Sequence, residues 1–86
     1  MEEELIGRVS HWYGKISVIG VTLTGPLAVG DTIRIRGHTT DFEQPVTSMQ
    51  IWHQDVTEAK AGDEVGIRVA HRARVGDRVY KVKQAE

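Results

Sequence analysis

Cysteine is absent from the 86-residue sequence, and its absence excludes several kinds of chemistry. Without thiols the chain can form no disulfide framework, no thiolate zinc site and no cysteine nucleophile. Asparagine is absent too, which removes any acceptor for N-glycosylation. The lack of cysteine fits a reducing environment, and we expect a cytoplasmic protein.

Long apolar runs and a dominant sign of charge are missing as well. No stretch approaches the roughly 20 apolar residues that a membrane-spanning helix needs, and the start MEEELIGRV has no secretion-signal pattern. The 11 Lys and Arg residues nearly balance 12 Asp and Glu residues, giving a formal net charge of -1. This balance excludes a global field that recruits nucleic acid or an anionic membrane, so such binding requires a local patch.

Charge is nonetheless distributed unevenly along the chain. Glu2, Glu3 and Glu4 form an acidic start, whereas residues 67–83 contain a single acid, Asp77. The same stretch carries six basic side chains: Arg68, Arg72, Arg74, Arg78, Lys81 and Lys83. We interpret these charges as solvated strand faces and a solubilising tail.

Motifs for catalysis and for cofactor binding are also lacking. The segment GVTLTGP at 20–26 has proline where a phosphate-binding loop requires lysine, and the Gly-Asp pairs lack calcium-loop spacing. No serine lies in a nucleophile elbow, and the histidines are too scattered to predict a metal site: His11, His38, His53 and His71. We therefore expect no catalytic residue, no metal, no cofactor and no enzyme activity.

Alternating and β-branched segments dominate the chain, whereas helical periodicity is poor. The pattern predicts one all-β domain over residues 5–83, an acidic tail at 1–4 and a C-terminal tail at 84–86. The first strand is expected at about Leu5 to His11, and the last lies within RVYKV at 78–82. Between them the pattern predicts four further strands, of which one contains SMQIWH at 48–53.

A five-residue phrase occurs three times, as VGDTI, AGDEV and VGDRV. It consists of a small apolar residue, Gly, Asp, any residue and an apolar β-former. Each Gly-Asp pair directly precedes a predicted strand. Glycine supplies the positive φ of a tight turn, and aspartate can accept a hydrogen bond from the backbone there. Three such corners between short strands predict a small barrel.

Aromatic side chains lie beside cations at two places. Trp12 and Tyr13 are expected in a loop with Lys15, and Trp52 lies on the polar side of its predicted strand, next to His53. Exposed aromatic and basic side chains suit base stacking and phosphate contact. The alternative is that Trp12 or Trp52 covers an end of the core.

The chain resembles the second domain of translational GTPases such as elongation factor Tu. The similarity lies in GPLAVGDTIRIRG, SMQIWH and EAKAGDEVGI, in that order. It implies a closed six-stranded antiparallel Greek-key barrel that binds no GTP alone, because the GTPase domain is missing. The matching positions imply an RNA-binding site made by Trp12, Tyr13, Gly14, Lys15, Gln50, Trp52, His53, Glu64 and Arg68.

The resemblance implies a non-catalytic translation-factor-like module that binds transfer RNA or ribosomal RNA through this aromatic and basic face. The alternative is an accessory subunit that docks onto a larger enzyme or a translation-related protein. It would use the same aromatic loop or the C-terminal basic strand, since Trp, Tyr and Arg are also preferred anchors of protein interfaces. RNA, the ribosome or a protein are thus the expected partners, and a membrane is not.

Overall fold

A computed structural model describes residues 2–83, and this part of the chain is built of β-strands and turns without a helix. The alternation of apolar and polar residues explains this choice, because period-2 patterns bury one strand face and expose the other. The strands are β1 (Glu2–Tyr13), β2 (Val18–Leu23), β3 (Leu27–Ala28), β4 (Thr32–Arg36), β5 (Asp41–Pro45), β6 (Met49–Ile51), β7 (Gln54–Asp55), β8 (Glu58–Ala59), β9 (Glu64–Arg68) and β10 (Arg78–Lys83).

The strands form one large and one small antiparallel sheet. The large sheet has eight strands in the order β5-β4-β10-β1-β2-β9-β6-β7, and β3 pairs with β8 in the small one. The backbone ladder of the large sheet ends at β5 and β7, so the predicted all-β class is confirmed but a closed six-stranded barrel is not. Gln44 of β5 nevertheless reaches the chain after β9: its amide donates to Arg68 O and accepts from Ala70 N, both at 2.8 Å.

The core is one hydrophobic cluster to which both sheets contribute. In β4, Ile33 and Ile35 are fully buried while Arg36 is exposed, as the alternation in TIRIR predicts. Burying an aliphatic side chain contributes about 1.5–3 kcal/mol, so this one cluster supplies most of the driving force for folding. Its largest fully buried members are Ile6, Ile19, Leu23, Leu27, Ile33, Ile35, Met49 and Ile67.

The three Gly-Asp phrases form three equivalent turns. Gly30, Gly62 and Gly76 have φ values of 100°, 94° and 95°. In each turn the aspartate after the glycine accepts a hydrogen bond from the backbone N–H three residues earlier, at 2.9, 3.1 and 2.8 Å for Asp31, Asp63 and Asp77. The predicted architectural role of the repeated phrase is therefore confirmed.

Several predicted element boundaries are wrong. β1 begins at Glu2, so Glu3 and Glu4 pair with Val82 and Lys81 of β10 in the sheet and do not form a tail. The same strand continues to Tyr13, beyond the expected end at His11. Strand β1 has two register shifts, one between Leu5 and Gly7 and one between Val9 and His11. Because such bulges bend a strand, β1 stays paired with its neighbours over its whole length. Met1 and residues 84–86 lie outside the described part of the chain.

Candidate functional site

The predicted site residues occupy three places in the fold. Trp12 and Tyr13 end β1, and Gly14 and Lys15 lie in the turn that leads to β2. Gln50 lies in β6, and Glu64 and Arg68 are the first and last residues of β9. The remaining two, Trp52 and His53, form the turn between β6 and β7.

A cleft of about 350 Å³ brings three of these side chains together. Lys15, Gln50 and Arg68 line it. Sequence reasoning missed its other lining residues, which are Ile16, Val18, Ser48 and Gly66. We call this surface the glycine cleft. Its lining carries two cations and no carboxylate, so the cleft favours an anionic group.

The floor of the glycine cleft follows from strand register. Gly20 of β2 lies opposite Gly66 of β9, and these two face His11 and Gln50 on the flanking strands. Residues directly opposite one another project on the same face of a sheet. Of the two glycines only Gly66 lines the cleft, because the His11 side chain covers Gly20, 3.3 Å from where a Cβ would lie.

The aromatic residues of β1 have different environments. Trp12 is partly buried and packs against the core, which agrees with the alternative that it covers an end of the core. Tyr13 is 48% exposed, and its ring lies 5.8 Å from that of His11. The prediction that Trp12 and Tyr13 lie in a loop is wrong, because both still pair with β2.

Glu64 is engaged by its own sheet. Its carboxylate accepts hydrogen bonds from Ser10 Oγ at 3.2 Å and from Thr22 Oγ1 at 3.3 Å. Glu64 also does not line the glycine cleft that Lys15, Gln50 and Arg68 share. The structure thus separates it from the cationic members of the predicted site.

Trp52 occupies the most unusual position of the predicted residues. Ile51 pairs with Gln54, so Trp52 and His53 are the two residues of a tight hairpin turn between β6 and β7. Their φ values are 53° and 63°, the left-handed conformation that such turns normally give to asparagine and glycine. The Trp52 side chain is 90% exposed. The prediction that Trp52 lies within a strand is wrong, because β6 ends at Ile51.

Within residues 2–83, no group of three or more His, Asp or Glu side chains is placed to hold a metal ion. The same range contains no helix that is long and apolar enough to cross a membrane.

Comparisons with known proteins point to peptidase-related domains. No family model matches the chain. An uncharacterized protease of Methanocaldococcus jannaschii is 50% identical over 80 residues, which cover 92% of this chain and 20% of that protein. This chain thus spans about one fifth of the length of the curated relative that it matches.

Solved structures share the fold. The C-terminal domain of a Geobacillus thermoleovorans protein described as a U32 peptidase superposes with a TM-score of 0.87 at 16% identity, covering 93% of each chain. Its selenomethionine variant gives a TM-score of 0.84 at 15% identity, covering 88% of this chain and 96% of that domain. At such low identity these matches establish the fold alone.

The comparisons overturn two predictions made from the sequence. The relative is a protease by name and the structural neighbours are domains of a U32 peptidase, so the assignment to a translational GTPase domain is wrong, and so is the translation-factor RNA-binding module that it implied. The physical reason lies in the motifs. GPLAVGDTIRIRG and EAKAGDEVGI encode positive-φ turns followed by half-buried strands, and unrelated all-β proteins can share such a pattern.

Proposed function

We propose that this chain is a non-catalytic module that docks a larger enzyme of the peptidase-related kind through the hairpin Met49–Asp55, named here the Trp52 hairpin. Size supports the proposal, because the matching segment makes up 20% of the Methanocaldococcus jannaschii relative. A segment of that size inside a longer protein is typical of an accessory domain. The Geobacillus thermoleovorans neighbour is likewise one domain of a larger protein.

The observation that carries the proposal is the strained and exposed Trp52. A non-glycine residue in the left-handed conformation costs roughly 1–2 kcal/mol, and the turn contains two of them in succession. Strain of this kind persists most often at functional sites. Tryptophan is also among the residues most enriched at the energetic centres of protein interfaces, and 90% of this side chain is free for contact.

The glycine cleft supports the non-catalytic part of the proposal. Its polar lining consists of Lys15, Ser48, Gln50 and Arg68, so neither a carboxylate nor an imidazole is at hand as a general base. Lys15 and Arg68 instead suit an acidic side chain of the docked enzyme. Gln50 belongs to the Trp52 hairpin, so the hairpin that exposes the tryptophan also contributes one wall residue to the cleft.

Docking is tested with the Methanocaldococcus jannaschii relative from which the matching 80 residues have been deleted. We expect this truncated enzyme, once shown to be folded, to bind the present chain with micromolar affinity in isothermal titration calorimetry. The intact relative already carries a similar module and serves as the matched control, and we expect it to bind at least about tenfold more weakly, or about 1.4 kcal/mol.

Two results contradict the proposal. Equal binding of the truncated and intact enzymes shows that the chain does not occupy the position of the deleted module. Hydrolysis of casein by the isolated chain, at a rate proportional to its concentration through successive purification steps, contradicts the non-catalytic assignment.

The finer architecture is part of the same proposal: the large sheet acts as a closed barrel whose seam is made by a side chain. Counting from β5 to β9 along the sheet gives six strands, and Gln44 joins these two ends. One amide thereby replaces the missing ladder hydrogen bonds. A sealed barrel leaves no free edge there for unwanted strand pairing.

Gln44→Met tests the seam, because methionine keeps the length of the side chain and removes both hydrogen bonds. The loss of two hydrogen bonds is expected to lower the free energy of unfolding by about 1–3 kcal/mol, measured by urea denaturation. The Ala70 amide is expected to exchange with solvent at least about tenfold faster, since its acceptor is gone.

Gln50→Met is the matched control, because among the described residues the Gln50 amide bonds only the exposed Asp55 carboxylate, at 2.9 Å. We expect its free energy of unfolding to stay within about 0.5 kcal/mol of the wild type. Unchanged exchange at Ala70 in Gln44→Met would rule out the seam.

A further inference from the structure

Three arginines lie side by side on the outer face of the large sheet. Arg8 of β1 is directly opposite Arg78 of β10, which is directly opposite Arg36 of β4. All three are exposed. Neighbouring strands are about 4.8 Å apart, so the three cations, called here the arginine row, share a width of roughly 10 Å. Like charges directly opposite one another destabilise a sheet, so stability does not explain the row.

The charge of the arginine row is poorly neutralised by its surroundings. Glu3 lies 3.4 Å from Arg36, but the same carboxylate is closer to Arg34, at 3.2 Å. Within residues 3–83, no carboxylate approaches Arg8 or Arg78 to within 4.0 Å. Among the described side chains, Arg8 and Arg78 of the row thus have no carboxylate partner.

Asp41 compensates for the charge of the row only in part, although it pairs with Arg36 across the β4–β5 hairpin. Its two carboxylate oxygens accept hydrogen bonds from Arg34 at 2.9 and 3.2 Å. These hydrogen bonds from Arg34 hold the pKa of Asp41 below its usual value, and the charges of Arg34 and Arg36 add to the effect. Asp41 is thus committed to Arg34.

A cleft of about 730 Å³ adjoins the arginine row. Arg36 and Arg78 line it together with Arg74 and His38. Asp77 also contributes to its wall, but this carboxylate is only 6% exposed and accepts the Arg74 backbone N–H at 2.8 Å. Asp41 lines the cleft as well, and its side chain is exposed. Three arginines against this one exposed carboxylate leave the cleft cationic on balance.

We propose that the arginine row and this cleft bind an extended acidic segment of a partner protein. The inference rests on the proposed function in taking the partner to be a protein. Guanidinium groups bind carboxylates through two parallel hydrogen bonds. Alternate side chains of an extended peptide lie about 7 Å apart on one face, so two carboxylates fit within the row.

The acids around the row favour a short acidic segment over a nucleic acid. Glu3 and Asp41 both lie near Arg36. Glu3 of β1 is 3.4 Å from it, and Asp41 of the edge strand β5 pairs with it. A phosphate backbone carries a charge at every nucleotide and would pass over these carboxylates, where repulsion opposes it. A peptide can place its two or three carboxylates on the row alone.

The probe is a fluorescein-labelled peptide of alternating glutamate and glycine, and binding is measured by fluorescence anisotropy. We expect saturable binding to the full chain that weakens several-fold between about 50 and 200 mM salt. Arg36→Gln with Arg78→Gln is expected to lower the affinity at least about tenfold. The same variant is expected to melt about 2–4 °C higher, because opposed like charges are removed.

Lys60→Gln with Arg72→Gln makes the same change in net charge and is the matched control, because neither residue lines the cleft beside the row or the glycine cleft. This control is expected to bind the peptide like the wild type. Three results overturn the inference: no saturable binding, an equal loss in the control variant, or tighter binding of a single-stranded RNA oligonucleotide that depends on Arg36 and Arg78.

The experiment separates this inference from the proposed function. The peptide contains no part of an enzyme, and a variant with an altered Trp52 hairpin is expected to keep its full peptide affinity. Peptide binding by a chain that does not bind the truncated enzyme supports the arginine row and contradicts the docking module.

Discussion

Gly37→Ala is expected to lower the free energy of unfolding by about 2–3 kcal/mol, because one methyl group would overfill a packed corner. Gly37 lies in the loop between β4 and β5, and its φ does not require glycine. A Cβ at this position would overlap the Asp77 carboxylate. Space, and not backbone conformation, is the constraint at this glycine.

The Asp77 carboxylate cannot move away at little cost. It is 6% exposed and accepts the Arg74 N–H at 2.8 Å. The Asp77 carbonyl accepts a hydrogen bond from Val9 N at 2.9 Å, and Gly76 N donates to Val9 O at 2.9 Å. The turn that contains Gly76 and Asp77 is thus held to Val9 of β1 by two backbone hydrogen bonds. Moving the Asp77 carboxylate away from a new methyl group must therefore break one of these three bonds.

Chemical denaturation of two further variants isolates the mechanism. Asp77→Ala removes the obstacle, so adding Gly37→Ala to it is expected to cost at most about 0.5 kcal/mol more. Gly66→Ala is the matched control, since its Cβ would meet its nearest neighbour at 3.5 Å and its φ is ordinary. A Gly37→Ala chain as stable as the wild type would show that the overlap is absent in solution.

Replacing the turn of the Trp52 hairpin is expected to change stability and docking in opposite directions. Asparagine and glycine are the preferred residues of a two-residue turn with positive φ at both positions. Trp52→Asn with His53→Gly is therefore expected to raise the free energy of unfolding by about 1–2 kcal/mol. Affinity for the truncated enzyme is expected to fall at least about 30-fold, or about 2 kcal/mol, as for an interface hot spot.

The opposite signs make this variant informative, because misfolding cannot explain a loss of binding by a more stable protein. Tyr13→Ala provides the control, since it removes another exposed aromatic side chain outside the hairpin. We expect it to bind the truncated enzyme within about threefold of the wild type. Full affinity in the Asn-Gly variant would remove Trp52 from the interface.

The sequence predicted the turns and the core well because both are local. Alternation in TIRIR identified Ile33 and Ile35 as buried, and the repeated phrase identified the glycines with positive φ. Strand ends were predicted less well. Nothing in EEEL distinguishes a polar edge segment from a tail, and pairing with β10 from the far end of the chain decides it.

The candidate site was predicted in part. Trp52 and Lys15 were identified from their chemistry, whereas Arg68 came from the resemblance to the translational GTPase domain. The structure exposes Trp52 and places the two cations on one cleft. Val18 and Gly66, which line the same cleft, come from paired strands that are far apart in the sequence. Register between distant strands has no local signal, and for the same reason the arginine row was not predicted.

Trp52 fluorescence tests the docking account most directly. Trp12→Phe keeps an aromatic side chain at this partly buried position. In a chain that carries it, the tryptophan emission of the chain comes from Trp52 alone. The account predicts a saturable blue shift as the truncated enzyme is added, because an exposed indole becomes buried on binding. Binding detected by calorimetry without any change in emission would contradict it, since Trp52 would then remain in water in the complex.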